Sequence, residues 1–87
     1  MGKKKKIEKA IESYKKQIEL HFEKLENDFK NKDFEHARYH IKELDKSLIE
    51  GLLRKIQALG KDDSLIQDYK NKLKKLLEKY DFDYGFV

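Results

Sequence analysis

Apolar residues between positions 34 and 59 form a stripe that widens halfway along, and this widening most constrains the fold. The first half follows steps of three and four residues, which place its members on one narrow helical face. Those members are Phe34, Ala37, Ile41, Leu44 and Leu48. In the second half, Ile49 and Leu53 open a second stripe about 100° or more round the helix. The sequence predicts a central helix, about residues 33–59, with one neighbour along its whole length and another along its second half.

A second apolar stripe, within residues 4–29, repeats every eleven residues, as Ile7, Ile18 and Phe29 show. Eleven residues in three turns lie close to the natural helical period, so the pattern predicts a nearly straight first helix. The polar segment that follows contains Asn31 and Asp33, either of which is a candidate N-cap for the central helix. Because the connection is short, the two helices are predicted to pair antiparallel.

Gly60 is placed to end the central helix, and Ser64 with Gln67 predicts a capping box at the start of a third helix, about residues 64–80. Running back along the central helix, the third helix is predicted to reach only about as far as Lys42. It then covers Ile49 and Leu53, and aromatic side chains near the other end of the bundle are predicted to be only partly covered. Those side chains are Phe22, Phe29 and Phe34.

The tail, residues 81–87, supplies three further aromatic side chains at that level, and we expect it to fold over the bundle. They are Phe82, Tyr84 and Phe86. The alternation in the tail also fits an edge strand, although a lone strand has no partner to pair with.

Composition agrees with long amphipathic helices, since 38% of the residues are hydrophobic, 44% are charged and none is proline. The predicted fold is all-α, an antiparallel three-helix bundle that forms one domain over residues 1–87. Without cysteine the chain has no disulfide and no thiolate metal ligand. No apolar run is long enough to span a membrane, so a soluble cytoplasmic protein is expected.

Positive charge is concentrated at one end of the predicted bundle. Residues 1–17 carry seven lysines and two glutamates, a net charge of +5, which exceeds the +4 of the whole chain. The antiparallel hairpin brings this segment to the same pole as basic residues near Gly60. The pole comprises Lys3, Lys4, Lys5, Lys6, Lys9, Arg54, Lys55 and Lys61. It predicts, as an alternative function, a small nucleic-acid-associated protein with salt-sensitive binding, although lysine-rich termini are also common as solvated tails.

Three histidines fall on one flank of the predicted hairpin. His36 and His40 are four residues apart, and His21 lies opposite His40 with Asp28 on the same flank. Imidazoles with a carboxylate can hold zinc. However, no His-Glu-x-x-His motif is present, so we predict a polar seam between the helices, with no metal and no cofactor. Without a nucleophile elbow or a glycine-rich phosphate loop, the chain is not expected to be an enzyme.

The incompletely covered end of the bundle predicts an apolar groove that receives a partner or a second copy of the chain. The leading function is therefore a non-enzymatic protein-interaction module, such as an adaptor, a small regulator or an immunity-type inhibitor with an unidentified protein partner. The residues predicted to bind the partner are Leu20, Phe22, Phe29, Phe34, Tyr39, Phe82, Tyr84 and Phe86.

Overall fold

The protein is an all-α bundle of three packed helices in a computed structural model that describes residues 2–82. The first helix is α1 (Gly2–Lys30). The central helix consists of α2 (Phe34–Lys42), a π-helical segment (Glu43–Leu48) and α3 (Ile49–Ala58), and the last helix is α4 (Ser64–Lys79). No strand occurs within these residues. Of the three tail aromatics predicted to fold over the bundle, Phe82 is among the described residues, and Tyr84 and Phe86 lie outside them.

The turn between α1 and α2 defines what we call the upper end of the bundle. Lys32 adopts a left-handed conformation with φ of 58°. Asp33 is the N-cap of α2, and its carboxylate accepts hydrogen bonds from the His36 backbone N–H at 3.4 Å and from the His36 ring at Nδ1, 2.5 Å away. Of the two predicted N-cap candidates, Asp33 is therefore the one that acts. The opposite end, with the start of α1 and the end of α3, is the lower end.

The π-helical segment changes the register of the central helix. The buried stripe runs through Ala37, Ile41 and Leu44, then takes a step of five residues to Ile49. At this step the Ile49 N–H donates to the carbonyl of Leu44, the i to i−5 bond of a π-turn. Leu48, on the predicted first stripe, is half-buried against the core, and Ile49, predicted to open the second stripe, is fully buried after the wide turn.

The last helix packs on α3, and the two residues predicted to need its cover are shielded from water. Ile49 is fully buried, and Leu53 is half-buried against the core. The predicted position of α4 along the bundle axis is wrong, however. Its aromatic residues reach the upper half of α1, where Tyr69 stacks on Phe22 at 6.3 Å between ring centroids.

The start of α4 also differs in detail from the predicted capping box. Gly60 ends the central helix with φ of 71°, and Asp63, not Ser64, is the N-cap of α4. The Asp62 carboxylate accepts hydrogen bonds from the Ser64 backbone N–H at 3.1 Å and from its hydroxyl at 2.7 Å. These bonds lower the pKa of Asp62. The connection of residues 59–63 thus carries the chain away from the lower end before α4 begins.

Aromatic side chains close the upper end. Phe29 stacks on Tyr80 at 4.8 Å and meets Phe82 edge-on at 5.2 Å, while Phe34 stacks on Phe82 at 5.9 Å. The Arg38 guanidinium lies 5.3 Å from the centre of the Phe82 ring. Such contacts add to simple area burial. The part of the tail that is described therefore packs on the bundle as predicted.

Burial along α1 falls from the upper end to the lower end. Its stripe is fully buried at Ile18, Phe22, Leu25 and Phe29. The earlier members of the same stripe, Ile7, Ile11 and Tyr14, are only half-buried. Tyr14 lies against Gly51 of α3, so closely that a Cβ on Gly51 would be 2.7 Å from three atoms of the ring. The lower half of α1 thus pairs closely with α3, without the third layer that α4 provides above.

Candidate interaction surface

The apolar groove predicted at the upper end is filled by the chain itself. Phe22 and Phe29 are each 4% exposed and belong to the core, so their assignment as partner-binding residues is corrected. The physical reason is that α4 lies higher than predicted and its two tyrosines occupy the expected groove. Phe34 remains 48% exposed, with one ring face against Phe82.

The remaining residues predicted to bind a partner do not form one surface with these aromatics. Leu20 is 47% exposed on α1 and Tyr39 is 58% exposed on α2, each directed away from the core stripe of its own helix. Tyr84 and Phe86 lie outside the described residues. The structure therefore leaves single exposed apolar side chains at the upper end, which are ordinary on protein surfaces.

The lower end carries the apolar surface that lacks a third layer. Three of its side chains are half-buried: Ile7 and Ile11 on α1, and Leu59 just after α3. Ile11 packs against the buried core, whereas Ile7 and Leu59 are outside that packed set. The surface is therefore apolar at its centre and continuous with the core above it.

Positive charge surrounds this surface, as the sequence predicts. We call the following residues the basic end: Lys3, Lys4, Lys5, Lys6, Lys9, Arg54, Lys55 and Lys61. Within residues 2–82, none of these eight has a carboxylate oxygen within 4.0 Å of its charged nitrogens. Moreover, the first turn of α1 contains no acidic residue, and the helix dipole adds positive potential there. The basic end therefore carries a net positive charge, with Glu8 and Glu12 among its lysines but not in close ion pairs with them.

The upper half of α1 shows the opposite charge and is compensated by α4. Lys72 lies 3.5 Å from Glu19, and Lys79 lies 4.0 Å from Glu26. The Tyr69 hydroxyl donates to Glu19 at 3.5 Å, and its pKa is raised by burial and by the Glu19 carboxylate. Exposed ion pairs of this kind each contribute little energy, but together they match an acidic flank of α1 to a basic helix.

The predicted polar seam between α1 and α2 is present. The His40 ring and the Asp28 carboxylate form an interhelical pair at 2.5 Å, and the His21 and His40 rings meet edge-on at 5.8 Å between centroids. His21 Nδ1 is 2.9 Å from the Gln17 carbonyl oxygen. Because a carbonyl oxygen only accepts, Nδ1 carries the proton, and Nε2 faces Glu43 at 4.0 Å.

The third histidine belongs to the helix cap rather than to the half-buried seam. The Asp33 carboxylate raises the pKa of the exposed His36 ring, and the hydrogen bond from His36 lowers the pKa of Asp33. Within residues 2–82 no group of three or more histidine, aspartate or glutamate side chains is arranged to hold a metal ion. In the structure, the three histidines are hydrogen-bond partners that join α1 to α2 and cap α2.

Comparisons with protein-family models, with curated proteins and with solved structures found no match to this chain. None of the helices formed by residues 2–82 has both the length and the apolar character that crossing a lipid bilayer requires. The surfaces of the bundle are therefore the basis for proposing a function.

Proposed function

We propose that this chain is a non-enzymatic protein-interaction module that binds its partner at the lower end of the bundle. The observation that carries the proposal is the half-buried apolar surface around Ile7, Ile11 and Leu59. The basic side chains at this end form no ion pair within residues 2–82. An apolar centre with a charged rim is the usual anatomy of a protein-protein interface. At the upper end, α4 and Phe82 fill the predicted groove, and the exposed part of Phe34 lies beside the Phe82 ring.

Binding at the lower end has two sources of free energy. Completing the burial of the apolar side chains contributes about 25 cal/mol for each Å² removed from water. Negative charge brought near the first turn of α1 adds favourable interactions with unpaired lysines and with the helix dipole. The charges also guide the encounter and set specificity more than they set affinity.

The alternative function is nucleic-acid association through the same basic end. Its specific support is that the first nine residues contain five lysines, none of which forms an ion pair in the part of the chain that the structure describes. Phosphates would release counterions on binding, so the affinity would fall steeply with added salt. The half-buried isoleucines have no role in such contacts, and this favours the protein partner.

Site-specific photo-crosslinking in the cells that produce the protein tests the proposal. A photoreactive side chain replaces Lys6 in one variant and Lys74, on the exposed face of α4, in a matched control. We expect a discrete protein adduct from position 6 and none from position 74. An adduct with nucleic acid would select the alternative function. The absence of any adduct at position 6, or equal adducts at both positions, would contradict the proposal.

A further inference from the structure

We propose that His36 and His40 form a binding site for a divalent transition metal ion of the Zn²⁺ type, with the Nε2 atoms of the two rings as its ligands. The site lies on α2 at the upper end of the bundle. It is separate from the apolar surface at the lower end, so it does not depend on the proposed function.

A carboxylate holds the same nitrogen of each ring. His36 Nδ1 lies 2.5 Å from Asp33 Oδ2, and His40 Nδ1 lies 2.5 Å from Asp28 Oδ2. Because an ionised carboxylate only accepts hydrogen bonds, Nδ1 of each ring carries the proton. In the neutral ring the lone pair is then on Nε2, which is the nitrogen that remains to bind a metal ion.

Histidines that bind metals in proteins have the same arrangement. The nitrogen that does not bind the metal donates to a carboxylate, a backbone carbonyl or water, and this bond fixes the ring and makes the other nitrogen more basic. Here one carboxylate comes from the N-cap of α2 and the other from α1. The two pairs therefore orient both ligands before an ion arrives.

The spacing of the two histidines fits a chelate across one helical turn. Residues four apart are neighbours on the surface of a helix, and this is also the spacing of the two zinc ligands in the His-Glu-x-x-His motif. Residues 36–40 read His-Ala-Arg-Tyr-His, so Ala37 stands where that motif has its catalytic glutamate. The site therefore has the ligand spacing of the motif without its general base.

The separation of the two rings is close to that of a chelate. Their centroids are 6.4 Å apart, and their planes are inclined by 25°. With Zn–N bonds of about 2.0–2.1 Å and tetrahedral angles, two imidazole centroids lie roughly 5 Å apart. The rings must approach by about 1 Å to form these bonds, and the His36 side chain, which is 68% exposed, has room to turn.

The third histidine is oriented differently and is not assigned to the chelate. His21 Nδ1 donates to the Gln17 carbonyl oxygen at 2.9 Å, and His21 Nε2 faces Glu43 at 4.0 Å. Within residues 2–82 no further histidine, aspartate or glutamate joins the two rings in a set of three. Water fills the other coordination positions, and the affinity is expected to be lower than that of a structural site with four protein ligands.

Calorimetric titration of the full chain with Zn²⁺ tests the site at pH 8, above the ordinary histidine pKa near 6.5, because the metal binds the neutral ring. We expect one Zn²⁺ to bind, and Mg²⁺, which prefers oxygen ligands, not to bind. Asp28→Asn, behind His40, should weaken Zn²⁺ binding by about ten-fold. His36→Gln and His40→Gln should each cost at least as much, whereas the matched control His21→Gln should bind like the parent chain.

The ring nitrogens give a second readout, which identifies the ligands directly. In long-range ¹H–¹⁵N spectra of the parent chain, added Zn²⁺ should shift the Nε2 signals of His36 and His40 and leave the signals of His21 unchanged. Circular dichroism of each variant verifies that the helices are retained. The exposed His36 is the safer replacement, because its side chain is outside the core.

Three results of the titrations would overturn the proposal. These are no Zn²⁺ binding by the parent chain, a loss in His21→Gln as large as that in His36→Gln, or binding that is unchanged in both His36→Gln and His40→Gln. The last result would mean that the ion binds elsewhere on the chain. A shift at Nδ1 in place of Nε2 would also contradict the site, since the carboxylates would then not hold that nitrogen.

Discussion

The two halves of α1 have the same apolar pattern and different surroundings. Ile18 and Ile7 are one eleven-residue period apart on the same stripe, yet Ile18 is fully buried and Ile7 is half-buried. The difference comes from α4, which stands beside the upper half only. Periodicity therefore tells which face of a helix turns inward, while the number of neighbours on that face depends on where the next helix is placed.

The largest difference in stability is expected between two variants, in which Ile18 and Ile7 are truncated separately. Ile18→Ala leaves a cavity in the closed half and should lower the free energy of unfolding by about 2–5 kcal/mol. Ile7→Ala removes surface that is already partly wet and should lower it by about 1 kcal/mol or less. Urea denaturation measures both values. Equal losses would mean that the lower half is packed as tightly as the upper half.

A smaller effect, with a testable sign, is expected at the contact of Gly51 with Tyr14. Alanine is about 1 kcal/mol better than glycine inside a helix. In this helix, however, the new Cβ would press on the Tyr14 ring, and overpacking costs about 1–3 kcal/mol. Gly51→Ala should therefore destabilise the parent chain and stabilise the Tyr14→Ala background. Stabilisation in both backgrounds would contradict the close packing of α1 on α3.

The net positive charge of the lower end predicts a substitution that stabilises the isolated chain. Lys3→Glu places an acidic residue in the first turn of α1, three residues before Lys6, and should raise the free energy of unfolding by about 0.3–1 kcal/mol at low salt. Lys3→Gln should give a smaller gain of the same sign. Thermal unfolding measures the stability of both variants. A loss of stability in either one would show that the positive charge of the basic end is already compensated within the folded chain.

The smallest effect concerns pH and the upper end. Because Asp33 raises the pKa of His36 in the folded chain, protonation of His36 favours folding. This stabilisation is complete below the ordinary histidine pKa near 6.5 and is lost as pH rises through the raised value. A His36→Gln variant should therefore differ from the parent in Tm more at pH 6 than at pH 9. A difference that grows towards pH 9 would exclude the ion pair with Asp33.

Local patterns in the sequence are sufficient for the fold class and for several contacts. The three-helix architecture, an N-cap at either Asn31 or Asp33, the burial of Ile49 and the interhelical seam at His40 all follow from spacing along one or two helices. Each depends on residues within a few turns or on a simple antiparallel register. The spacing of apolar residues and the capping residues at the helix ends are enough to predict these features.

The level of α4 and the π-turn depend on contacts that no local pattern contains. The connection of residues 59–63 sets where α4 begins, and this decides whether Phe22 and Phe29 are surface or core. The sequence pattern places both Leu48 and Ile49 on inward stripes, and nothing in it indicates the π-turn after which Ile49 is fully buried and Leu48 is half-buried. The open lower end follows from the same displacement. Its one sequence signal is the reversal of charge along α1.

Amide hydrogen exchange along α1, resolved residue by residue, tests most directly the claim that the third layer covers only the upper half. Fraying of an unsupported helix end affects mainly its first turn. We predict that fast exchange extends well beyond this turn, through Tyr14, and that strong protection begins near Ile18 and continues to Phe29. Uniform strong protection from Ile7 onward would contradict the account, because it would require the lower half of α1 to be as firmly enclosed as the upper half.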